Sequence, residues 1–292
     1  MKIIAIDLDG TLLNHNSEIS KENADAIKEA QGHGVEVVVA TGRAEFDVRQ
    51  VFSKTDINTW VIGANGATIH TPERKLFDSV PLPPNHAEDI LEWLERKEFY
   101  YEVFSDEAIL TPENGRRLLE IELDRLKTAN PQTDMKTLYH SMEKQFGQTG
   151  FAHVKTYQEI IQSKERLYNI LAFSFDEEKR AEGWRRFEGM EELTLVSSGL
   201  HNFELEHKEA SKGLALQKLA RHFGIEMEDT AAIGDSPNDL SMIQMAGKSA
   251  AMANGRDPVI EASDFITKSN DDHGVAYAIH RWLKEDSSTH PA

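Results

Sequence analysis

Two aspartates stand directly after the first apolar run of the chain. Asp7 and Asp9 follow Ile3–Ile6, which is typical of a buried parallel strand, and Asp235 comes shortly after a second apolar run, Thr230–Ile233. Several carboxylates in a partly desolvated cleft raise one another's pKa or require a cation. Because the ligand atoms would be oxygens and the chain has no Cys, the predicted cation is Mg²⁺. A carboxylate beside Mg²⁺ and a second one placed for proton transfer suit phosphoryl transfer through an aspartyl-phosphate.

An acidic turn and a calcium-binding loop are the structural alternatives for Asp7-Leu8-Asp9-Gly10-Thr11. A calcium loop would place Gly at residue 12, where the chain has Leu12, and no Glu closes the loop. The functional interpretation is therefore favoured for this string.

Lys212 follows a suitable N-cap residue, Ser211, and is therefore predicted in the first turn of a helix. A cation there opposes the helix dipole at a cost of about 0.3–1 kcal/mol. Residues that break a local rule are often functional, and a lysine beside free helix N–H groups would bind a phosphate. A solvated lysine explains the position equally well.

Small polar residues follow two further predicted strands. Thr41 and Gly42 can offer a hydroxyl and an unhindered N–H to phosphate oxygens, although Gly after a strand is also ordinary turn chemistry. Asn65-Gly66, flanked by apolar residues, predicts a β-hairpin that could also present Asn65 to a pocket. Both interpretations stay open for each pair.

Residues that fall outside these groups receive structural interpretations. The aromatic residues Phe99, Tyr100, Tyr101 and Phe104 are expected in a core rather than around a ligand. His201 and His207 have no partner at a spacing that suggests chemistry, and we expect them at the surface or in a hinge.

The elements that position the polar groups alternate between short apolar runs and amphipathic helices. The predicted elements of the first third are strands Ile3–Ile6, Val35–Ala40 and Thr59–Ile62, with helices Ser20–Gly34 and Glu45–Phe52. From Ser211 the predicted elements are helices Ser211–Phe223, Asn238–Met245, Pro258–Ala262 and Val275–Lys284, strands Thr230–Ile233, Ala250–Met252 and Phe265–Thr267, and a frayed tail, Glu285–Ala292. This order predicts a parallel sheet covered on both faces, with ligands bound at the carboxyl ends of its strands.

An inserted segment of different texture interrupts this pattern. Three prolines in Val80-Pro81-Leu82-Pro83-Pro84 predict an extended hinge. The predicted elements beyond it are a helix, His86–Arg96, the aromatic run Phe99–Phe104, charged amphipathic segments through about Ser163, strands Leu167–Phe175, Leu193–Ser197 and Asn202–Glu206, and a helix, Asp176–Glu188. The predicted fold is α/β, a Rossmann-like parallel-sheet core at residues 1–81 and 207–292 with an inserted α+β (α/β) domain at 82–206.

Composition restricts the function classes. The chain has 292 residues, long enough for a sizeable core, with 32 Lys and Arg against 50 Asp and Glu and a formal charge of −18. This charge argues against nucleic-acid or anionic membrane partners, and the absence of Cys excludes disulfides and thiolate chemistry. No signal peptide fits the first residues, and no run of about 18 apolar residues occurs, so we expect a soluble, cytoplasmic protein.

The polar segments resemble, in order, the motifs of the haloacid dehalogenase-like hydrolases. The matching residues are Asp7-x-Asp9-x-Thr11, Thr41-Gly42-Arg43, Lys212 and Gly234-Asp235-x-x-Asn238-Asp239. The strings MKIIAIDLDGTLL, GANGA, SKG and GDSPNDLSMI resemble the Cof-type subgroup of sugar-phosphate phosphatases, whose cap domain lies where the insert is here.

The resemblance implies a role for each matching residue. Asp7 would be the nucleophile, and Asp9 would protonate the leaving oxygen and then activate water. The Asp7 side chain, the Asp9 carbonyl and Asp235 would hold Mg²⁺, with Asp239 supporting the loop or a bound water. The implied phosphate and substrate ligands are Thr41, Gly42, Arg43, Asn65, Lys212 and Asn238, and Lys212 would also offset the charge of Asp7.

The favoured function is a Mg²⁺-dependent phosphatase acting on small phosphorylated metabolites, with the insert as a cap that contributes specificity. A phosphomutase that returns the phosphoryl group from Asp7 to a sugar hydroxyl would use the same residues. A sugar-phosphate-binding regulatory protein would not need Asp9, and an interaction scaffold has only the net charge in its favour. The predicted partner is a small phosphorylated molecule, and the sequence specifies no oligomeric state.

Overall fold

A computed structural model of the chain describes residues 1–147, 149–197 and 199–289. These residues form two compact units, one built from residues 1–79 and the described residues from Ala210 onward, the other from Val80–Glu209. The unit boundaries differ from those expected, after residues 81 and 206, by a few residues.

The first unit is built on an eight-stranded sheet with the strand order β14-β13-β12-β1-β2-β3-β4-β5. Its strands are β1 (Ile3–Ile6), β2 (Glu36–Ala40), β3 (Trp60–Gly63), β4 (Thr68–His70), β5 (Leu76–Ser79), β12 (Thr230–Gly234), β13 (Lys248–Ala251) and β14 (Phe265–Ile266). Its α-helices are α1 (Lys21–Gly32), α2 (Glu45–Phe52), α8 (Lys212–Phe223), α9 (Leu240–Met245), α10 (Asp257–Ala262) and α11 (Gly274–Thr289).

Helices cover both faces of this sheet. Ile4 of β1 packs in one apolar cluster with Ile27 of α1 and Ile279 of α11. Ile3, which points to the opposite face, packs in a second cluster with Leu216 of α8. Burial on both faces explains why the central strands are continuous apolar runs, and the predicted Rossmann-like α/β core is confirmed.

The sequence pattern predicts a parallel sheet, but the observed sheet is only partly parallel. The strands from β14 to β3 are parallel, but β4 and β5 continue the sheet antiparallel beyond β3. The connection between β3 and β4 is a tight 3-10 turn at Ala64–Gly66. Asn65-Gly66 therefore does form the predicted hairpin, while the two strands after it were missed.

The second unit is an α+β domain on a six-stranded sheet with the order β10-β11-β9-β6-β7-β8. Its strands are β6 (Tyr100–Ser105), β7 (Ile109–Pro112), β8 (Phe151–Val154), β9 (Leu167–Phe173), β10 (Leu193–Val196) and β11 (Asn202–His207). Its helices are α3 (Pro84–Arg96), α4 (Gly115–Ala129), α5 (Met135–Phe146), α6 (Tyr157–Ser163) and α7 (Glu177–Phe187). The core role of the aromatic residues is confirmed, because Phe99, Tyr100, Tyr101 and Phe104 are all buried.

Several local predictions need correction. Pro84, expected in an extended hinge, begins α3, because proline suits the first position of a helix. His201, expected at the surface or in a hinge, is half-buried against the rings of Phe173 and Phe175. The helix expected over Asn238–Met245 begins as a 3-10 turn at Pro237–Asp239 and becomes α-helical only from Leu240.

The last helix, α11, is longer than expected. It continues to Thr289 rather than ending at Lys284, so its last turn covers most of the tail predicted to fray. Residues 290–292 of that tail lie outside the described residues. Among the helices that the structure describes, none combines the length and hydropathy needed to cross a lipid bilayer.

Candidate active site

The predicted polar residues meet at one edge of the first sheet. Strands β12, β1, β2 and β3 are parallel neighbours, so Asp235, Asp7 and Thr41 follow strand ends at the same edge. The backbone N–H of Asp7 donates to the carbonyl of Ile233 at 3.0 Å, which extends the pairing of β1 with β12 as far as the nucleophile candidate. The backbone of Asp7 is therefore fixed by the sheet.

Lys212 is buried at the first position of α8. Ser211 caps the helix, its Oγ accepting from the N–H of Leu214 at 3.1 Å. The Lys212 side chain is 0% exposed, and its Nζ donates to Asp7 Oδ1 at 2.7 Å and to Asp239 Oδ1 at 2.6 Å. The solvated-lysine interpretation is therefore wrong.

Burial and charge act against each other in this group. Burial opposes the charge of Lys212, but Asp239 and Asp7 outweigh it and hold the pKa of Lys212 above its usual value. Burial and then Asp239 raise the pKa of Asp7 well above the usual range, although Lys212 lowers it in part. Burial and then Asp239 also raise the pKa of Asp235. One ammonium group is thus insufficient to compensate three carboxylates.

The three carboxylates fit a divalent cation. Asp7, Asp235 and Asp239 are buried, and each can offer an oxygen within 4.8 Å of the others. With Lys212 they carry an excess of two negative charges when all are ionised. Oxygen ligands and this charge balance suit a hard divalent ion such as Mg²⁺.

Asp239 is already engaged by protein donors. Its Oδ1 accepts from Lys212, and its Oδ2 accepts from the backbone N–H groups of Asp235 and Ser236, at 3.0 Å each. These bonds hold the loop that carries Asp235. The geometry thus favours a supporting role for Asp239 over direct metal ligation.

Two hydroxyl groups that the sequence analysis did not assign orient Asp235. Thr11 Oγ1 donates to Asp235 Oδ1 at 3.1 Å, and Ser236 Oγ donates to Oδ2 at 3.0 Å. Thr11 stands in the first motif and Ser236 in the last, so motif membership was the available signal. Gly10 is required here, because a Cβ at this residue would lie 2.6 Å from Asp235 Oδ2.

Asp9 is separate from the three-carboxylate group. Its side chain is 57% exposed and accepts two hydrogen bonds from Arg43, from Nε to Oδ2 and from Nη2 to Oδ1, both at 2.7 Å. Arg43 Nη1 also donates to Asp47 Oδ2 at 2.8 Å. The bonds to Asp9 raise the pKa of Arg43 despite its burial. Arg43, predicted to bind substrate, is therefore engaged with two carboxylates, and Asp47 was missed because no motif includes it.

The remaining predicted ligands form a second group. Asn238 Nδ2 donates to Asn65 Oδ1 at 3.1 Å, and a Cβ at Gly42 would lie 3.1 Å from the same oxygen. Asn65 adopts the left-handed region, with φ of 53°. Thr41 is buried, and its Oγ1 accepts from the backbone N–H of Arg43 at 3.1 Å. The structure thus brings Gly42, Asn65 and Asn238 together beside the strand ends.

Comparison with known proteins gives the family. A model of the haloacid dehalogenase-like hydrolases matches residues 4–279. The chain belongs to this family. Phosphatase YwpJ of Bacillus subtilis is 51% identical over 285 residues, covering 97% of this chain and all of that protein. The 5-amino-6-(5-phospho-D-ribitylamino)uracil phosphatase YwtE of the same organism is 43% identical, covering 97% and 98%.

A solved structure agrees with this placement. A haloacid dehalogenase-like hydrolase from Bacillus subtilis is 51% identical and superposes with a TM-score of 0.83, covering 96% of this chain and 99% of that one. The predicted Cof-type family membership is confirmed. The predicted enzyme class, a phosphoric monoester hydrolase, is confirmed with it.

Proposed function

We propose that this phosphatase hydrolyses small phosphorylated metabolites with Mg²⁺, through a phosphoryl group held on Asp7. The observation that carries the proposal is the buried ammonium group of Lys212 between Asp7 and Asp239. A carboxylate attacking a phosphate is an anion approaching an anion, and it requires fixed positive charge at the point of contact. Lys212 supplies that charge and holds the Asp7 carboxylate through Oδ1.

Asp7 and Asp235 would hold the metal ion, and Asp239 would fix the loop that carries Asp235. When bound, Mg²⁺ supplies charge neutralisation at the transferring phosphoryl group. Thr11 and Ser236 orient Asp235 for this role through their hydroxyl groups.

Asp9 would transfer the protons of the reaction. As a general acid it protonates the leaving oxygen, and as a base it takes a proton from the water that releases phosphate from Asp7. Such assistance contributes about 10²–10⁴-fold to the rate. The exposed side chain of Asp9 is consistent with contact to substrate and water.

The phosphate oxygens would be bound by Lys212, the Thr41 hydroxyl, the Gly42 N–H and the Asn238 amide. Asn65 would position Asn238, because Asn238 Nδ2 donates to its Oδ1. Gly42 has no Cβ, so its backbone N–H can approach the phosphate closely.

The second unit, Val80–Glu209, is proposed as the cap that selects the substrate. Phosphomonoesters of polyhydroxylated compounds are the proposed substrate class. The name of YwtE supports this choice, since it specifies a phosphorylated ribitylamino compound.

Phosphate release from p-nitrophenyl phosphate and a panel of sugar phosphates tests the proposal, with Mg²⁺ or with a chelator. We expect Mg²⁺-dependent release by the wild type and none by Asp7→Asn, whose circular dichroism spectrum should be unchanged. Asp229→Asn is the control, because Asp229 is an exposed partner of Lys2 in the same unit.

Three outcomes would contradict the proposal. Full activity of Asp7→Asn would exclude the nucleophile. Transfer of the phosphoryl group to a sugar hydroxyl instead of water would identify a phosphomutase. Tight binding of sugar phosphates without turnover would identify a binding protein.

A further inference from the structure

We propose that Arg43 is a positioning residue that holds Asp9 for proton transfer and is not a ligand of the phosphate. This inference rests on the proposed function, in which Asp9 is the acid and base. It reassigns a residue that motif matching places among the substrate ligands.

Arg43 and Asp9 form a two-point contact. The guanidinium plane meets both carboxylate oxygens at 2.7 Å, which fixes the orientation of the carboxylate plane as well as its position. A single hydrogen bond would leave the carboxylate free to rotate. Because the Asp9 side chain is 57% exposed, packing alone would not fix its orientation.

Asp47 anchors the guanidinium from the other side. Asp47 lies in the first turn of α2 with its side chain only 9% exposed, and its Oδ2 accepts from Arg43 Nη1 at 2.8 Å. The exposed Asp9 is thereby connected through Arg43 to a nearly buried residue of a helix. These contacts tie Asp9 to the backbone of α2 through two side chains.

The contact leaves Asp9 able to exchange protons. A carboxylate has about four lone-pair sites, and the guanidinium occupies two of them. The remaining sites can accept a proton from water or carry one to a leaving oxygen.

Charge argues against a phosphate at Arg43. Asp9 and Asp47 together carry two negative charges against the single positive charge of the guanidinium. A phosphate dianion placed there would meet a net negative group. Nε, Nη1 and Nη2 of Arg43 each already donate to a carboxylate oxygen.

The leaving group of the substrate distinguishes the two roles. We would compare kcat/KM on p-nitrophenyl phosphate, whose leaving group needs little protonation, with kcat/KM on a sugar phosphate, whose alkoxide leaving group needs it fully. For Arg43→Ala we expect a loss of about 10-fold or more on the sugar phosphate and a much smaller loss on the aryl ester. The inhibition constant of orthovanadate, a phosphate mimic, should stay at the wild-type value.

Arg43→Lys and a double variant sharpen the test. Lysine keeps the charge but lacks the planar fork, so it should rescue a phosphate ligand and should not rescue a positioning residue. In the Asp9→Asn background, Arg43→Ala should cause no further loss, because it acts through Asp9. Arg221→Ala is the control, since Arg221 donates to Gln217 at the surface of α8.

Any one of four results would overturn the inference and leave the phosphatase proposal intact. Two concern Arg43→Ala alone: equal losses of kcat/KM on both substrates, or weaker inhibition by orthovanadate. The other two are recovery of activity in Arg43→Lys and a full loss from Arg43→Ala in the Asp9→Asn background. Failure of the wild-type protein to hydrolyse either substrate would instead refute the proposed function and this inference with it.

Discussion

At the scale of single residues, we expect both stability and activity to depend on Lys212. Its side chain lies between two carboxylates with no exposure to solvent. Removing one partner of a buried ion pair leaves uncompensated charge and costs about 3–5 kcal/mol. We therefore expect Lys212→Met to lower the free energy of unfolding by about this amount, and to lower kcat/KM by about 10²-fold or more.

Urea unfolding and phosphatase kinetics check this expectation, with Lys218→Met as the matched control on the same helix. Lys218 Nζ lies 2.6 Å from Asp78 Oδ2, but both side chains are 39% exposed. Exposed pairs contribute about 1 kcal/mol or less, so this variant should remain near the wild type in both measurements. Equal unfolding midpoints for the two variants would show that the buried pair has no special weight.

The residue types of the site could be predicted, whereas their pairing could not. Asp7, Thr41 and Asp235 were placed correctly because each follows a strand end and parallel strands share one edge. Asp9 and Arg43 are 34 positions apart in the sequence, and their pairing also depends on the conformations of both side chains. No local pattern encodes such a contact.

At the scale of elements, the hairpin turn between β3 and β4 lies against the first residues of α8. Gly66 has φ of 104°, and a Cβ at this residue would lie 2.3 Å from the backbone carbonyl of Ser211. The turn therefore connects Asn65 to the helix that begins with Lys212. A side chain at residue 66 would separate the two.

We expect Gly66→Ala to lower both the thermal midpoint and kcat/KM, because the new Cβ would have to displace the backbone of Ser211 rather than a flexible side chain. Gly34→Ala is the control: Gly34 also has positive φ, at 78°, but a Cβ there would have nothing within 4 Å. Gly34→Ala should lower the free energy of unfolding only by the cost of a left-handed backbone at a non-glycine residue, about 1–2 kcal/mol, and should keep full activity. Differential scanning fluorimetry and kinetics on both variants measure the difference, and wild-type kinetics for Gly66→Ala would contradict the role of the turn.

The sequence predicted those strands that are buried on both faces and those helices whose apolar residues recur with a helical period. Strands β1 and β12 are nearly continuous apolar runs, and α2 was predicted with its observed bounds. Strands β4 and β8 have only three and four residues, too short for a period to be recognised. Strand β5 has no fully buried residue and combines Leu76 and Phe77 with Asp78 and Ser79, so neither an apolar run nor an alternation marks it.

At the scale of the whole molecule, the organisation into a core with an insert was readable from three prolines and the return of the α/β pattern after Ser211. The substrate features that the proposed cap would recognise were not readable, because specificity side chains follow the substrate and no backbone rule fixes their spacing. The formal charge of −18 is also a property of the whole chain. Because any added cation screens the repulsion among these negative charges, it stabilises the folded protein. The effect of a specific metal site has to be separated from this general screening.

A specific site gives a stabilisation that depends on Asp235. A ligand that binds only the folded state at 100 times its Kd adds about 2.7 kcal/mol to the free energy of unfolding. We expect Mg²⁺ to raise the melting temperature of the wild type beyond the effect of NaCl at equal ionic strength. Asp235→Asn keeps the shape of the side chain and removes one buried ligand charge, so the Mg²⁺-specific increment should disappear while the NaCl effect remains.

Calorimetry of both proteins in matched Mg²⁺ and NaCl series measures the two effects separately. Asp257→Asn, which changes an exposed aspartate at the start of α10, removes the same charge from the whole molecule and should keep the Mg²⁺ increment. If Asp235→Asn retained the wild-type increment, the cation would act through the net charge alone, and the three-carboxylate group would not be its site.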